Sequence, residues 1–310
     1  MAVGFGYTHW VGTGEESTFG TGVAASKFIE VNSDTIKKSQ TMLPKPSLRG
    51  VSHDRRVKSK SNVEGSLEFQ LGWEGYGRFF KHALGTLNTS GAGPYTHAFT
   101  CAQALPTGLS VISNRDAAGI GGTSCFRYLG CQINKLTLKQ SADDFLMMTV
   151  DFLGRDREFI ATPTPTFPTF DGIAWDELVV DLDGSPIDVE EIELSIENNL
   201  AADRYKLGST LRKGFGRGDK RKISGKIVKE FESITELQLF TNLTDANLNF
   251  EWTSGTDVLT IDLPVVEFEG TDPEVTSSGP IKLELPFTAY LSAAEGDEIT
   301  VDLVNSASSE

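Results

Sequence analysis

Apolar and polar residues alternate with a period of two along most of the chain, the spacing of strands with one buried face and one wet face. The clearest run is VEGSLEFQL at 63–71, where Val63, Gly65, Leu67, Phe69 and Leu71 fall on one face and Glu64, Ser66, Glu68 and Gln70 on the other. KFIEVNSDTIKK (27–38), FRYLGCQINKLTLKQ (126–140) and FLMMTVDFLG (145–154) read as strands too. So do WDELVVDLDG, DVEEIELSIEN, ISGKIVKEF, NLNFEW, VLTIDLPVVEFEG, IKLELPFTAYL and EITVDLV further on. Asp183 and Gly184 form a two-residue hairpin turn. Helical spacing is confined to two short segments. In EGYGRFFKHAL (74–84) Tyr76, Phe79, Phe80 and Ala83 share a face and Gly85 is placed as the C-cap. SITELQLFTNL (233–243) carries Leu239 and Phe240 in the corresponding places.

The pattern also divides the chain. Residues 1–25, rich in Gly, Ser and Thr, read as an extended N-terminal arm, and 26–160 as a first β domain. ATPTPTFPTF (161–170) sets three prolines among four threonines, a stiff connector rather than an interior strand. Residues 171–310 then restart the pattern as a second β domain. Laying 63–80 on 223–240 without a gap pairs Val63 with Ile223, Gly65 with Gly225, Leu67 with Ile227, Leu71 with Phe231, Phe79 with Leu239 and Phe80 with Phe240. Each half holds a polar loop with a basic cluster, a strand with glycine at its third position, and a short aromatic helix, which is the signature of an internal repeat.

Charge changes the picture in one place. The chain of 310 residues has a formal net charge of −15, which argues against gripping nucleic acid along its surface. Yet LRKGFGRGDKRK (211–222) gathers Arg212, Lys213, Arg217, Lys220, Arg221 and Lys222, and the first half has Arg49, Arg55, Arg56, Lys58 and Lys60 at the matching place. The glycines do not make a phosphate cradle: the segment leads into a strand, and neither GxxxxGK[ST] nor a helix-opening GxGxxG is present. A lone Phe215 offers no platform for stacked bases. Two clusters at equivalent places read as a structural feature of the repeat, with a plain solvated loop as the alternative.

The remaining chemistry is sparse. Residues 171–197 hold ten carboxylates and no lysine or arginine, and 251–310 hold thirteen against Lys282 alone. Pairs such as Asp181/Asp183 and Glu267/Glu269 alternate along strands as a wet face does, although a hydrolytic pair has the same composition. DLDGSPIDVEE lacks a calcium-loop ligand run. His9, His53, His82 and His97 have no nucleophile motif beside them, and Cys101, Cys125 and Cys131 have no zinc spacing and read as reduced thiols in a cytosolic compartment. No cofactor is expected. No run approaches the ~20 apolar residues of a membrane span, and the start lacks a signal-peptide pattern.

GEESTFGTGVAASKFIEVNSDTIKK, SLEFQLGWEGYGRFFKHALG, LGCQINKLTLKQSADDFLMMTVDFLG and IELSIENNLAADRYKLGSTLRKGFGRGDKRKISGKI together resemble, in order, the segments of bacteriophage tail tube proteins of the siphovirus type. The resemblance implies two tandem antiparallel β-sandwich or barrel-like domains, each with a flanking helix. It also implies a non-enzymatic subunit whose rings stack head to tail into a tube for genome delivery, with both basic clusters at contacts between rings or subunits. Two domains per chain favour a trimeric ring with pseudo-sixfold symmetry, with a hexamer as the alternative. Viral DNA would pass through an acidic lumen without specific binding, and other tail proteins would meet the tube ends. The location would be the virion tail, assembled in the host cytoplasm. A β-sandwich binding module, such as a carbohydrate-binding tail or capsid accessory protein, and a β-rich hydrolase with an Asp/Glu pair are the rival readings.

Overall fold

A computed structural model describes residues 5–44, 55–115, 123–169, 171–242, 244–275 and 278–310. The first half carries β1 (Val11–Glu15), β2 (Lys27–Ile29), β3 (Ser33–Asp34), β4 (Lys37–Pro44), β5 (Arg56–Gln70), helix α1 (Gly77–Leu84), β6 (Asn88–Gly91), β7 (Tyr95–Thr100), β8 (Leu109–Asn114), β9 (Thr123–Ser141), β10 (Met147–Gly154) and β11 (Asp156–Ala161). The second carries β12 (Leu178–Leu182), β13 (Ser185–Ile187), β14 (Glu191–Glu197), β15 (Lys222–Glu230), helix α2 (Thr235–Asn242), β16 (Ala246–Ser254), β17 (Asp257–Phe268), β18 (Lys282–Ala289) and β19 (Thr300–Asn305). The fold is mainly antiparallel β, and among the described residues the pairings form an open network that does not close into a barrel.

Two four-stranded runs have the same order, β4–β5–β10–β9 and β14–β15–β18–β17. Their registers match as well. Gly65 lies opposite Phe152 and Gly225 opposite Phe287; Leu67 faces Val150 and Ile227 faces Leu285; Val63 faces Gly154 and Ile223 faces Ala289. The shared glycine has a steric cause, because backbone of another segment approaches it closely in both runs; a Cβ on Gly65, at φ 148°, would sit 2.5 Å from the Ile36 Cα. A Cβ on Gly225 would sit 2.1 Å from the Glu193 carbonyl oxygen and 2.6 Å from the Phe287 ring.

β9 joins the runs. Its second half pairs with β14 from Lys135 opposite Glu197 to Ser141 opposite Glu191, so the sheet continues from one half into the other. The first half of β9 pairs with β8 and β11 instead, and β8 pairs with β1 to build a second layer. Leu136, Leu138, Ile192, Leu194 and Ile196 are buried, and one apolar core runs through both halves. Trp252 Nε1 on β16 donates to the Gln140 side-chain oxygen on β9 across 2.7 Å, tying the halves together inside it.

Helix α1 buries Phe79, Phe80, Ala83 and Leu84, and it ends where Gly85, at φ 127°, turns its N–H back to the Lys81 carbonyl. At its other end the Glu310 carboxylate accepts from the N–H groups of Gly75 and Gly77, the placement the helix dipole favours. Tyr76 is also buried, and Leu239 and Phe240 of α2 pack partly buried against the core. Asp183 and Gly184 both have positive φ and turn β12 into β13.

Three expectations change. The expected arm contains β1, which lies between β2 and β8 with Val11, Gly12, Thr13 and Gly14 buried. Its glycines serve close approach: a Cβ on Gly14 would lie 2.3 Å from the Ala24 carbonyl oxygen. The expected strand at 27–38 is broken into β2, β3 and the start of β4, because Asp34 bends its carboxylate back to the Ile36 N–H. Residues 56–62, expected within a polar loop, extend β5 as a ladder with β4 that reaches Pro44 opposite Arg56.

Gly225→Ala is expected to destabilise the fold by about 1–3 kcal/mol through overpacking, read as a lower urea midpoint at unchanged slope. Gly6→Ala, whose Cβ would meet nothing within 4 Å, is expected to leave the midpoint unchanged.

Candidate assembly surface

The segment between β14 and β15 lies over the rim of the first run and is fastened there by its own polar groups. Asn198, fully buried, donates from Nδ2 to the Ala83 and Ile133 carbonyls at 2.9 and 3.1 Å. Arg212 is 2 % exposed; one guanidinium nitrogen donates to the Val63 and Gly154 carbonyls at 3.2 and 3.1 Å, and another pairs with Glu64. Arg217 donates to the Ala102 and Gln103 carbonyls, and Arg221 to those of Leu84 and Ala102 and to Glu298. The sequence alone assigns these three arginines to contacts between rings or subunits; within the chain their guanidiniums bond to carbonyls at the rim, because ladders and a helix stop there and leave acceptors that need donors, and a guanidinium presents several at once. Lys213, Lys220 and Lys222 are the members of this cluster left exposed.

The first cluster is arranged differently. Arg49, like His53, lies outside the described residues. Arg55, Arg56 and Lys58 are exposed at the outer end of the β4–β5 hairpin. Lys60 pairs with Asp203 at 2.5 Å and lies 4.8 Å over the Tyr205 ring, against the segment just described. The same hairpin exposes Met42, Leu43 and Val57 by 51, 57 and 62 %. The edge behind it is capped at Ile36, whose carbonyl accepts from Tyr128 Oη and from Arg115. From Lys37 to Pro44, β4 has β5 on one side and no strand on the other among the described residues.

The wet face of the central sheet collects the other charges. Alternation puts Glu64 and Glu68 of β5, Asp151 of β10, Lys135 and Lys139 of β9, Glu193 and Glu197 of β14, Lys226 of β15 and Glu284 of β18 on one side. Ion pairs cross the strands: Lys135 to Glu197 and Lys139 to Glu191 at 3.1 Å, Lys226 to Glu191 and Glu284 at 3.5 Å. The Lys139 hydrogen bond holds the Glu191 carboxyl below its usual range, while desolvation pushes that of Asp151 up. The lysines are thus tied to carboxylates, and the surplus on the face is acidic.

The histidines that the structure describes hold structure together. His9 Nδ1 reaches the Asn114 carbonyl, buried His82 lies beside Glu15, and buried His97 sits between Thr89, Asn305 and the Ala307 carbonyl. Cys125 and Cys131 are buried; burial pushes the Cys101 thiol up to about 11. The cysteines are free, with no disulfide.

Arg212→Ala would leave two rim carbonyls without their donor and Glu64 without its cation. It is expected to cost about 2–3 kcal/mol, as hydrogen bonds to charged groups do, whereas Lys213→Ala is expected to stay within about 0.5 kcal/mol of the parent. Urea denaturation of both variants checks the difference.

A family model described as phage tail tube protein matches residues 9–289. Among curated proteins nothing matches. The matched span runs from just before β1 to the end of β18 and so contains both four-stranded runs, the segment stapled over the first and the hairpin that stands free. With that match across nearly its whole length, this chain belongs to the phage tail tube protein family.

Proposed function

We propose that the protein is a structural subunit that closes into rings, and that the rings stack head to tail into a hollow tube through which phage DNA passes to the host. The observation that carries this is the β9–β14 ladder. It sets two runs of the same strand order and register side by side within one chain, the relation that successive positions around a ring must have. On this reading residues 26–160 and 171–310 each occupy one position, and three chains make a pseudo-sixfold ring.

Two further features support it. A subunit with open sheet edges is prone to pairing with other chains, and a closed ring removes that liability. The acidic wet face suits a bore, since carboxylates repel DNA phosphates within roughly a Debye length, ~8 Å, and leave the duplex free to slide. Such a subunit would be assembled in the host cytoplasm, reside in the virion tail and meet other tail proteins at the tube ends.

Negative-stain microscopy of the concentrated protein is expected to show hollow rings or tubes, and native mass spectrometry of a single ring three chains of 33.7 kDa each. A ring of six chains would replace the trimer but keep the tube. Monomers at every concentration would overturn the assembly itself.

A further inference from the structure

A second match between the halves lies in the other layer. β2–β1–β8–β9–β11 and β13–β12–β16–β17–β19 share one strand order, the first part of β9 standing where the first part of β17 stands. The registers coincide. Val11 lies between Ile29 and Ser113 as Val180 lies between Ile187 and Phe250. The pairs Leu109–Cys131 and Val111–Tyr128 flank a register shift, as the pairs Ala246–Val266 and Leu248–Leu263 do. Phe159 faces Phe126 as Val301 faces Ile261. The layers differ at one edge. Outside β19 lies β7, paired from Tyr95 opposite Asn305 to Thr100 opposite Thr300, with β6 beyond it; outside β11 there is no strand among the described residues. Val301 is accordingly buried and Phe159 is 53 % exposed.

β6 and β7 belong to the first half, in the connection between α1 and β8, whereas the connection between α2 and β16 spans only 243–245. The first half thus lends the second a hairpin that the second does not encode. The second half lends something back. Asn305 and the residues after it run onto the first half: Asn305 Nδ2 donates to the Trp73 carbonyl at 2.7 Å, His97 Nε2 to the Ala307 carbonyl at 2.9 Å, and Lys27 Nζ to the Ser309 carbonyl at 2.9 Å. The Glu310 carboxylate then accepts from the N–H groups of Gly75 and Gly77 at 2.8 and 3.1 Å and from Asn305 Nδ2 at 2.8 Å. Helix α1 has no capping side chain of its own and no acid in its first turn, so Glu310 serves as its cap. α2 is served locally, where Ser233 Oγ accepts from the Thr235 N–H.

The exchanged elements meet at Gly77. A Cβ there would lie 2.6 Å from the Glu310 Cβ and 2.9 Å from the Phe99 ring of β7. Phe99 in turn lies 5.7 Å from the Phe80 ring of α1. Asn305 and His97, both fully buried, complete the link, with Asn305 Oδ1 3.1 Å from His97 Nε2.

We propose that this exchange is a two-way clasp: the β6–β7 hairpin and the 305–310 strap hold each other through α1, so that loosening either one loosens both. The β9–β14 ladder joins the halves along one line of strands. The clasp joins them at a second, separate place, and two joins fix the relation of the halves within the chain before any second copy arrives.

The clasp belongs to a single chain and is tested without assembly, by hydrogen exchange of the full chain read by mass spectrometry. Glu310→Ala is expected to speed exchange about tenfold or more, as loss of hydrogen bonds to a charged group does. The effect is expected at 77–84 and equally at 95–100 and 300–305, while 222–230 keeps the parent's rate. Glu310→Gln, which keeps an acceptor and loses the charge, is expected to fall between the parent and Glu310→Ala at all three segments. Faster exchange at 77–84 alone would make Glu310 a simple helix cap and overturn the clasp; unchanged exchange everywhere would overturn the cap as well. Gly77→Ala reaches the same point from the helix. Alanine favours a helix over glycine, yet this variant is expected to speed exchange at 95–100 and 300–305, because its methyl group displaces Phe99 and Glu310. Exchange there at or below the parent's rate would refute the coupling.

Discussion

The seven-residue ladder between β9 and β14 is the constraint on which the rest of the structure depends. Without it the sheet would fall into two, one of them holding β6 and β7 of the first half beside the second-half strands through the β7–β19 ladder. With it, every residue on either strand is assigned to a face, because a slip of one position would carry Leu136, Leu138, Leu194 and Ile196 into water and Lys135, Lys139 and Glu197 into the core. The two results are inseparable: one ladder makes both the continuous core and the continuous charged face.

A sheet that wide creates a rim of strand ends, and the rim explains the arginines. Carbonyls where a ladder or helix stops lack a partner of their own: Val63 and Gly154 where β5 and β10 part, Ile133 beyond the β9–β14 ladder, Ala83 and Leu84 at the end of α1, and Ala102 and Gln103 after β7; leaving them dry would cost as much as a lost hydrogen bond. Arg212, Arg217, Arg221 and Asn198 answer all seven from a single crossing segment. Arg212 can be buried because Glu64 neutralises it and its neighbours accept its hydrogen bonds, the condition under which a buried cation is tolerated.

Much of this was legible in the sequence and part was not, for physical reasons. Period-two alternation located β5, β9, β10 and β14 to β18 because one face of each is buried. The shared glycine at 65 and 225 was legible as a repeat since the close backbone of Ile36 at one and of Glu193 at the other leaves no room for a Cβ. Strand β1 was missed because its composition, VGTGE, has the glycines of a flexible segment, and only the approach of Ala24 reveals them as packing. The intrachain bonds of the basic stretch were not legible for a similar reason. Charge count reports how many cations a segment holds, whereas their direction is set by acceptors more than a hundred residues away, at Val63, Leu84 and Ala102. What could have flagged it is spacing: the arginines at 212, 217 and 221 are the anchored members, and the lysines between and after them are the exposed ones, as the different hydration of the two side chains favours.

Two runs of matching order and register carry loops that end differently, and the reason is where each loop finds acceptors. The β14–β15 connection is sealed against its own chain because Arg212, Arg217 and Arg221 meet carbonyls there, and Arg212 and Arg221 also meet Glu64 and Glu298, so these three arginines contribute to folding stability. The β4–β5 hairpin runs out beyond the rest of the sheet, and there Met42, Leu43 and Val57 stay exposed while Arg55, Arg56 and Lys58 on the same hairpin hold it in water. Equivalent places in a repeated sheet therefore need not carry equivalent loops: the register fixes the strands, and the acceptors within reach decide whether a basic loop folds down or stands out.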